Sequence, residues 1–129
     1  MKNYLRGLAF AGGVLLSLNV AIAGDYDGVW TLSTGTEADQ DYFILYQNGS
    51  TLLLVNNYGE LDGWEAWTGQ FSTPDSVTVS TIISDDGTAT VVSINFTSLT
   101  TATITLDSCN PASACDIPIG VPIPANKIF

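Results

Sequence analysis

The feature that most constrains the fold is a series of short runs rich in β-branched and aromatic residues, recurring about every ten residues. Turn-forming residues separate these runs, and helical periodicity is missing from them. The runs cover residues 26–32, 42–46, 51–55, 63–71, 77–83, 88–96 and 101–106, and a last strand is expected at residues 126–129. The pattern predicts an all-β chain.

Two local signals define individual strands. Asn48-Gly49 separates two apolar runs, and this dipeptide tolerates the positive φ that a tight β-hairpin requires. Farther along, Ala102, Ile104 and Leu106 alternate with threonines, which is typical of a strand with one buried face. Residues 51–55 and 101–106 are therefore predicted as strands.

Seven or eight consecutive strands joined by short turns describe one antiparallel meander. Closing the meander removes exposed sheet edges, which favours an up-and-down β-barrel, with a β-sandwich as the alternative. Pro118, Pro122 and Pro124 cannot donate to a sheet ladder. Residues 117–129 are therefore expected to form an edge or covering segment.

The first 23 residues have the pattern of a cleaved secretory signal peptide. Lys2 and Arg6 form a basic start, residues 8–20 are largely apolar, and Ala21-Ile22-Ala23 suits a signal peptidase. The apolar run is shorter than the ~20 residues that a membrane-spanning helix needs. We expect a single β domain over residues 24–129 that is periplasmic or secreted, without stable membrane insertion.

Charge and composition restrict the function of this mature chain. It retains all 13 acidic residues and a single cation, Lys127, for a net charge of −12. Such a charge disfavours nucleic acids and anionic lipid surfaces as partners. The sequence has no histidine, which excludes Ser-His-Asp and Cys-His catalysis. We predict no catalytic residues, no cofactor and no metal site.

Cys109 and Cys115 are the only cysteines in the chain. In an exported domain, two cysteines separated by a short loop favour a disulfide. A zinc pair is the alternative, but a third cysteine and histidines are missing. The sequence therefore predicts a Cys109–Cys115 disulfide.

Gly28-Val29-Trp30 on the first predicted strand resembles the Gly-x-Trp element of lipocalin-like (calycin-like) barrels, as seen in small exported bacterial proteins. The resemblance implies a barrel whose interior takes a small apolar ligand. It also implies a cation packed over the first-strand tryptophan. Lys127 is the candidate for a structural cation–π contact with Trp30.

The candidate ligand contacts are aromatic. Trp64 and Trp67 stand three apart on one strand, so they are expected on opposite faces. The exposed one, next to Glu60, Asp62 and Glu65, could stack on a sugar ring. The full set of candidates is Trp30, Trp64, Trp67, Tyr42 and Tyr46.

The resulting hypothesis is a non-catalytic binding module for a small apolar or sugar-like ligand. Three alternatives stay open: a structural or surface-interaction protein with a basic partner, a small outer-membrane barrel, and a small hydrolase that works with paired carboxylates. The pattern is compatible with a hollow barrel and with a filled one, since the interior of an eight-stranded barrel holds either packed side chains or one small ligand.

Overall fold

The structure is a computed structural model, and it describes residues 24–33, 42–58 and 63–129. The predicted signal peptide lies outside these ranges. The described residues form eight antiparallel strands: β1 Gly28–Leu32, β2 Tyr42–Asn48, β3 Thr51–Tyr58, β4 Gly63–Thr73, β5 Ser76–Ser84, β6 Ala89–Phe96, β7 Thr101–Asn110 and β8 Pro122–Lys127.

Each strand pairs with the next along the chain, and β8 pairs with β1, which closes the sheet into a barrel. The prediction of an up-and-down barrel is confirmed. The β2–β3 hairpin also forms as predicted, with Asn48 opposite Thr51 and Gly49 at a φ of 59° in the turn. A short 3-10 turn, Ala112–Ala114, lies between β7 and β8.

The core fills the end of the barrel at which β1 begins, here called the closed end. Its aromatic layer consists of Tyr26, Trp30, Phe71 and Phe96. The Tyr26 hydroxyl donates to the carbonyl of Pro74 in the β4–β5 turn, so the segment before β1 folds across this end. Besides Trp30 itself, the fully buried side chains are Leu45, Leu52, Ile94, Val77 and Val79.

The last strand differs from the expectation. It starts at Pro122 and pairs on both sides, whereas the prolines predicted an edge segment with a strand only at residues 126–129. The carbonyl of Pro124 accepts a hydrogen bond from the Ser33 N–H, so Pro124 directs its backbone towards β1. The β1 ladder ends at Leu32, opposite Ala125. The missing proline N–H groups therefore fall beyond that ladder, where they interrupt no bond between strands.

A β-bulge in β5 changes which residues point inwards. Ala66 pairs with Ile83 and Trp67 pairs with Thr81, so Ile82 is an extra residue. Beyond the bulge, Ser84 lies opposite Glu65.

In the described ranges no helix is long and apolar enough to cross a membrane.

Candidate functional site

The half of the interior away from the closed end holds a cavity of about 760 Å³. This volume is within the range of roughly 300–1,000 Å³ that is typical of small-molecule sites. The barrel is therefore filled at one end and hollow at the other. Much of the wall is apolar, from Leu32, Phe43, Leu54, Val92, Ile104 and Leu106.

One wall of the cavity is an oriented tryptophan. The Trp67 Nε1 group donates to Thr90 Oγ1 at 2.6 Å, and Thr90 Oγ1 lies 3.0 Å from Thr81 Oγ1. The backbone N–H of Thr90 also donates to Thr81 Oγ1 at 2.9 Å. This network fixes the orientation of the Trp67 ring and satisfies its N–H group. The apolar part of the ring therefore forms the wall of the cavity.

A polar row crosses this apolar wall. Asn56 on β3 lies opposite Glu65 on β4, and Glu65 lies opposite Ser84 on β5. Asn56 and Glu65 both line the cavity, and Glu65 is only 6% exposed. The Asn56 Oδ1 atom is buried and has no hydrogen-bond partner among the described residues. Because a buried acceptor without a donor costs free energy, such an atom is suited to a donor on a ligand.

Ser84 lies between two carboxylates. Its Oγ is 3.0 Å from Glu65 Oε1 and 2.6 Å from Asp86 Oδ1, but a serine hydroxyl has one proton to donate. Asp86 also accepts from the backbone N–H of Thr88 at 2.7 Å. Hydrogen bonds from the Ser84 hydroxyl, and then from Thr88, lower the pKa of Asp86 from 3.8 to about 2. Asp86 therefore stays ionised in all but strongly acidic solution.

The charged residues that line the cavity are all acidic. Three aspartates line it at the open end: Asp85 and Asp86 in the β5–β6 turn, and Asp116 after the disulfide loop. The described lining residues include no lysine or arginine. Lys127 is at the closed end, where its backbone lies opposite Trp30. Among the described residues, no group of three or more Asp, Glu, Cys or His side chains is arranged to hold a metal ion.

A disulfide shapes the open end. Cys109 and Cys115 are joined, with their Cα atoms 6.4 Å apart, which confirms the predicted pair. Residues 114–117, which include Cys115, line the cavity, and Ile117 packs against the core. The Gly120 N–H donates to the Leu106 carbonyl at 2.8 Å. The disulfide and this bond hold the β7–β8 connection beside the mouth of the cavity.

The structure does not bring the five predicted ligand contacts together. Trp67 lines the cavity and Trp30 is in the core of the closed end. Trp64, Tyr42 and Tyr46 are about half exposed on the outer surface of the barrel, at positions that alternate with inward residues. The prediction that Trp64 and Trp67 point to opposite faces is confirmed, with exposures of 49% and 6%.

Trp30 and Lys127 are cross-strand neighbours, consistent with their expected proximity. A Cβ atom placed on Gly28 would lie 2.7 Å from the Lys127 Cε atom, so the lysine stem crosses the glycine. The Trp30 Nε1 group donates to the Tyr26 carbonyl at 3.0 Å. The cation–π contact itself stays a prediction.

Glu60, Asp62 and Glu65 were predicted beside an exposed tryptophan. Glu60 and Asp62 lie outside the described residues, and for Glu65 the prediction is wrong. Adjacent residues in a strand point to opposite faces, so Glu65 points inwards with Trp67 while Trp64 points outwards. That parity, once Trp67 is assigned to the core, is the signal that could have identified Glu65. Asn56 carried no comparable signal, because its role depends on the register between β3 and β4.

In comparisons with known proteins, no protein-family model, no curated protein and no solved structure matches this chain. The resemblance to lipocalin-like barrels therefore stays a prediction.

Proposed function

We propose that this domain is a non-catalytic binding module that takes a small, largely apolar molecule into the open half of its barrel. The cavity of about 760 Å³ is the observation that carries the proposal. Its apolar wall supplies the favourable burial, and the oriented Trp67 supplies a flat contact surface.

The packed closed end supports binding rather than passage through the barrel. The aromatic layer lies across that end, and Ile94, Val77 and Val79 are fully buried beside it. A ligand therefore enters and leaves at the open end. The absence of histidine from the sequence also argues against the common nucleophile–base pairs of enzymes.

We propose further that the domain works after export, in the periplasm or outside the cell. The pattern of residues 1–23 supports this location. The Cys109–Cys115 disulfide is compatible with an oxidising environment.

A matched pair of substitutions tests the binding site. Val92 lines the cavity, whereas its neighbour Val91 lies on the outer face of the same strand. Val92→Trp should place an indole in the cavity, in space that an apolar ligand would occupy, and weaken binding of a neutral fluorescent probe, such as N-phenylnaphthylamine, by at least about tenfold. Val91→Trp adds the same bulk outside and should leave probe binding unchanged.

Probe titration and thermal unfolding should be measured on both variants, so that a folding defect is recognised. A probe that binds wild type and Val92→Trp equally well would contradict the proposal, because the probe would then lie outside the cavity. Failure of neutral apolar probes to bind the wild-type protein at all would also contradict it.

A further inference from the structure

We infer that the ligand carries a cationic or strongly hydrogen-bond-donating head, of the organic amine class, which Glu65 and Asn56 hold inside the cavity. This inference rests on the proposed function and names the chemistry of its ligand. It follows from three features of the lining: a buried carboxylate, an acceptor without a donor, and the absence of a cation from the described lining residues.

The first feature is the burial of Glu65. Taking a carboxylate out of water is costly unless hydrogen bonds or an opposite charge compensate for it. Glu65 is 6% exposed, and the Ser84 hydroxyl near it also lies close to Asp86. One hydroxyl proton cannot serve both carboxylates at once. A cation in the cavity would place an opposite charge beside this buried carboxylate.

The second feature is the cross-strand partner of Glu65. Asn56 lies directly opposite Glu65, and its Oδ1 atom is a buried acceptor without a donor among the described residues. An ammonium group has three N–H donors, so one group can bond to Glu65 and Asn56 together. A ligand carboxylate would instead bring more acceptors to a place that already has an excess of them.

The third feature is the absence of a lysine or arginine from the described lining residues. The Trp67 Nε1 group, which would suit a ligand acceptor, already donates to Thr90. The Thr88 backbone N–H donates to Asp86. With Asp85, Asp86 and Asp116 at the open end, the field in the cavity repels an anionic head and attracts a cation. Among ligands that share one saturated chain and differ in the head group, the amine should therefore bind best.

A matched ligand series tests the inference on the wild-type protein. Decylamine, decanol and decanoate share one apolar chain and differ in the charge of the head at neutral pH. Displacement of a neutral fluorescent probe should rank the amine above the alcohol by at least about tenfold, and the alcohol above the carboxylate.

Glu65→Gln is the variant that assigns the selectivity to this site. It keeps the shape of the side chain and removes its charge, so it should lower the affinity for decylamine about tenfold and leave that for decanol unchanged. Asp75→Asn is the control, because it removes the same charge from an exposed turn at the closed end. This control should alter neither affinity.

The outcomes separate the two proposals. If none of the three compounds binds, the proposed function fails. If decanol binds but the amine has no advantage, or decanoate binds as tightly as decylamine, only the cationic head is refuted. If the amine advantage survives in Glu65→Gln, the head is held elsewhere. Should Glu65→Gln fail to fold, the ranking on wild type still decides whether the ligand is a cation.

Discussion

The ring of Tyr26 stacks on that of Phe96, with centroids 3.6 Å apart and planes 10° from parallel. Tyr26 precedes β1, and Phe96 ends β6 on another part of the barrel. Trp30 meets the edge of the same phenylalanine, with centroids 5.5 Å apart. Phe96 therefore helps to attach the segment before β1 to the core of the closed end, together with Phe71, on which Tyr26 also stacks.

Truncation of Phe96 should destabilise the whole barrel. Phe96→Ala removes a 5%-exposed ring and its aromatic contacts, and we expect it to lower the free energy of unfolding by about 3–5 kcal/mol. Phe129→Ala removes the same side chain from a position that is 81% exposed, and it should change stability by less than about 0.5 kcal/mol. Urea unfolding curves of the two variants measure this difference. Equal stabilities would show that the aromatic layer is not a stabilising core.

Tyr26 should make the fold sensitive to alkali. Burial, and then the charges of Asp75 and Asp25, raise the pKa of Tyr26 above its ordinary value of 10.0. Because the folded state holds this proton more tightly than the unfolded state, the contribution of Tyr26 to stability should be constant below about pH 10 and fall above it. Tyr26→Phe should lose less stability over this alkaline range than wild type does.

The measurement for Tyr26 is the free energy of unfolding as a function of pH, with the near-ultraviolet titration of tyrosinate alongside. Tyr46→Phe, at an exposed position on β2, is the control for removing one hydroxyl. If Tyr26→Phe and wild type lose stability in parallel above pH 10, the buried hydroxyl is not responsible.

The periodicity of the sequence was sufficient for the architecture but not for the cavity. Strands such as β7 were predictable because one face is in water and the other is buried, which produces alternation. The edge segment predicted from Pro122 and Pro124 was wrong, because the effect of these prolines depends on where the partner strand β1 ends. Such information belongs to the pairing of strands distant in sequence and is not present in either strand alone.

The candidate site was missed for a related reason. Glu65 and Ser84 face each other only because Ile82 forms a bulge that changes the parity of β5. A run of nine strand residues gives no sign in its composition of where a bulge falls. Three of the aromatic residues that were predicted as ligand contacts, Tyr42, Tyr46 and Trp64, lie instead on the outer surface.

Asp86 should contribute to acid sensitivity. Its folded pKa of about 2 is below the ordinary 3.8, so the unfolded state binds its proton more readily as the pH falls. The stability that the Ser84 and Thr88 hydrogen bonds confer is complete above about pH 4 and is lost as the pH falls towards 2. Asp86→Asn should show a smaller loss over this range than wild type.

Denaturant unfolding at a series of pH values between neutral and about 2 tests the Asp86 prediction. Asp107→Asn, which removes one negative charge from the exposed bulge of β7, is the control for net charge. An acid profile of Asp86→Asn that coincides with that of wild type would show that the turn does not stabilise the ionised aspartate.

The disulfide should matter more for the cavity than for the barrel. Its loop is short, so the entropic model gives it at most about 2–3 kcal/mol of stability. The segment that it anchors, residues 114–117, lines the open end. A Cys109→Ser/Cys115→Ser variant should therefore keep the far-ultraviolet spectrum of the barrel but bind a neutral apolar probe more weakly, since Ile117 is no longer held against the cavity. Reduction of wild type with dithiothreitol should reproduce the weaker binding. Probe affinity that is unchanged in both cases would show that the mouth holds its shape without the bond.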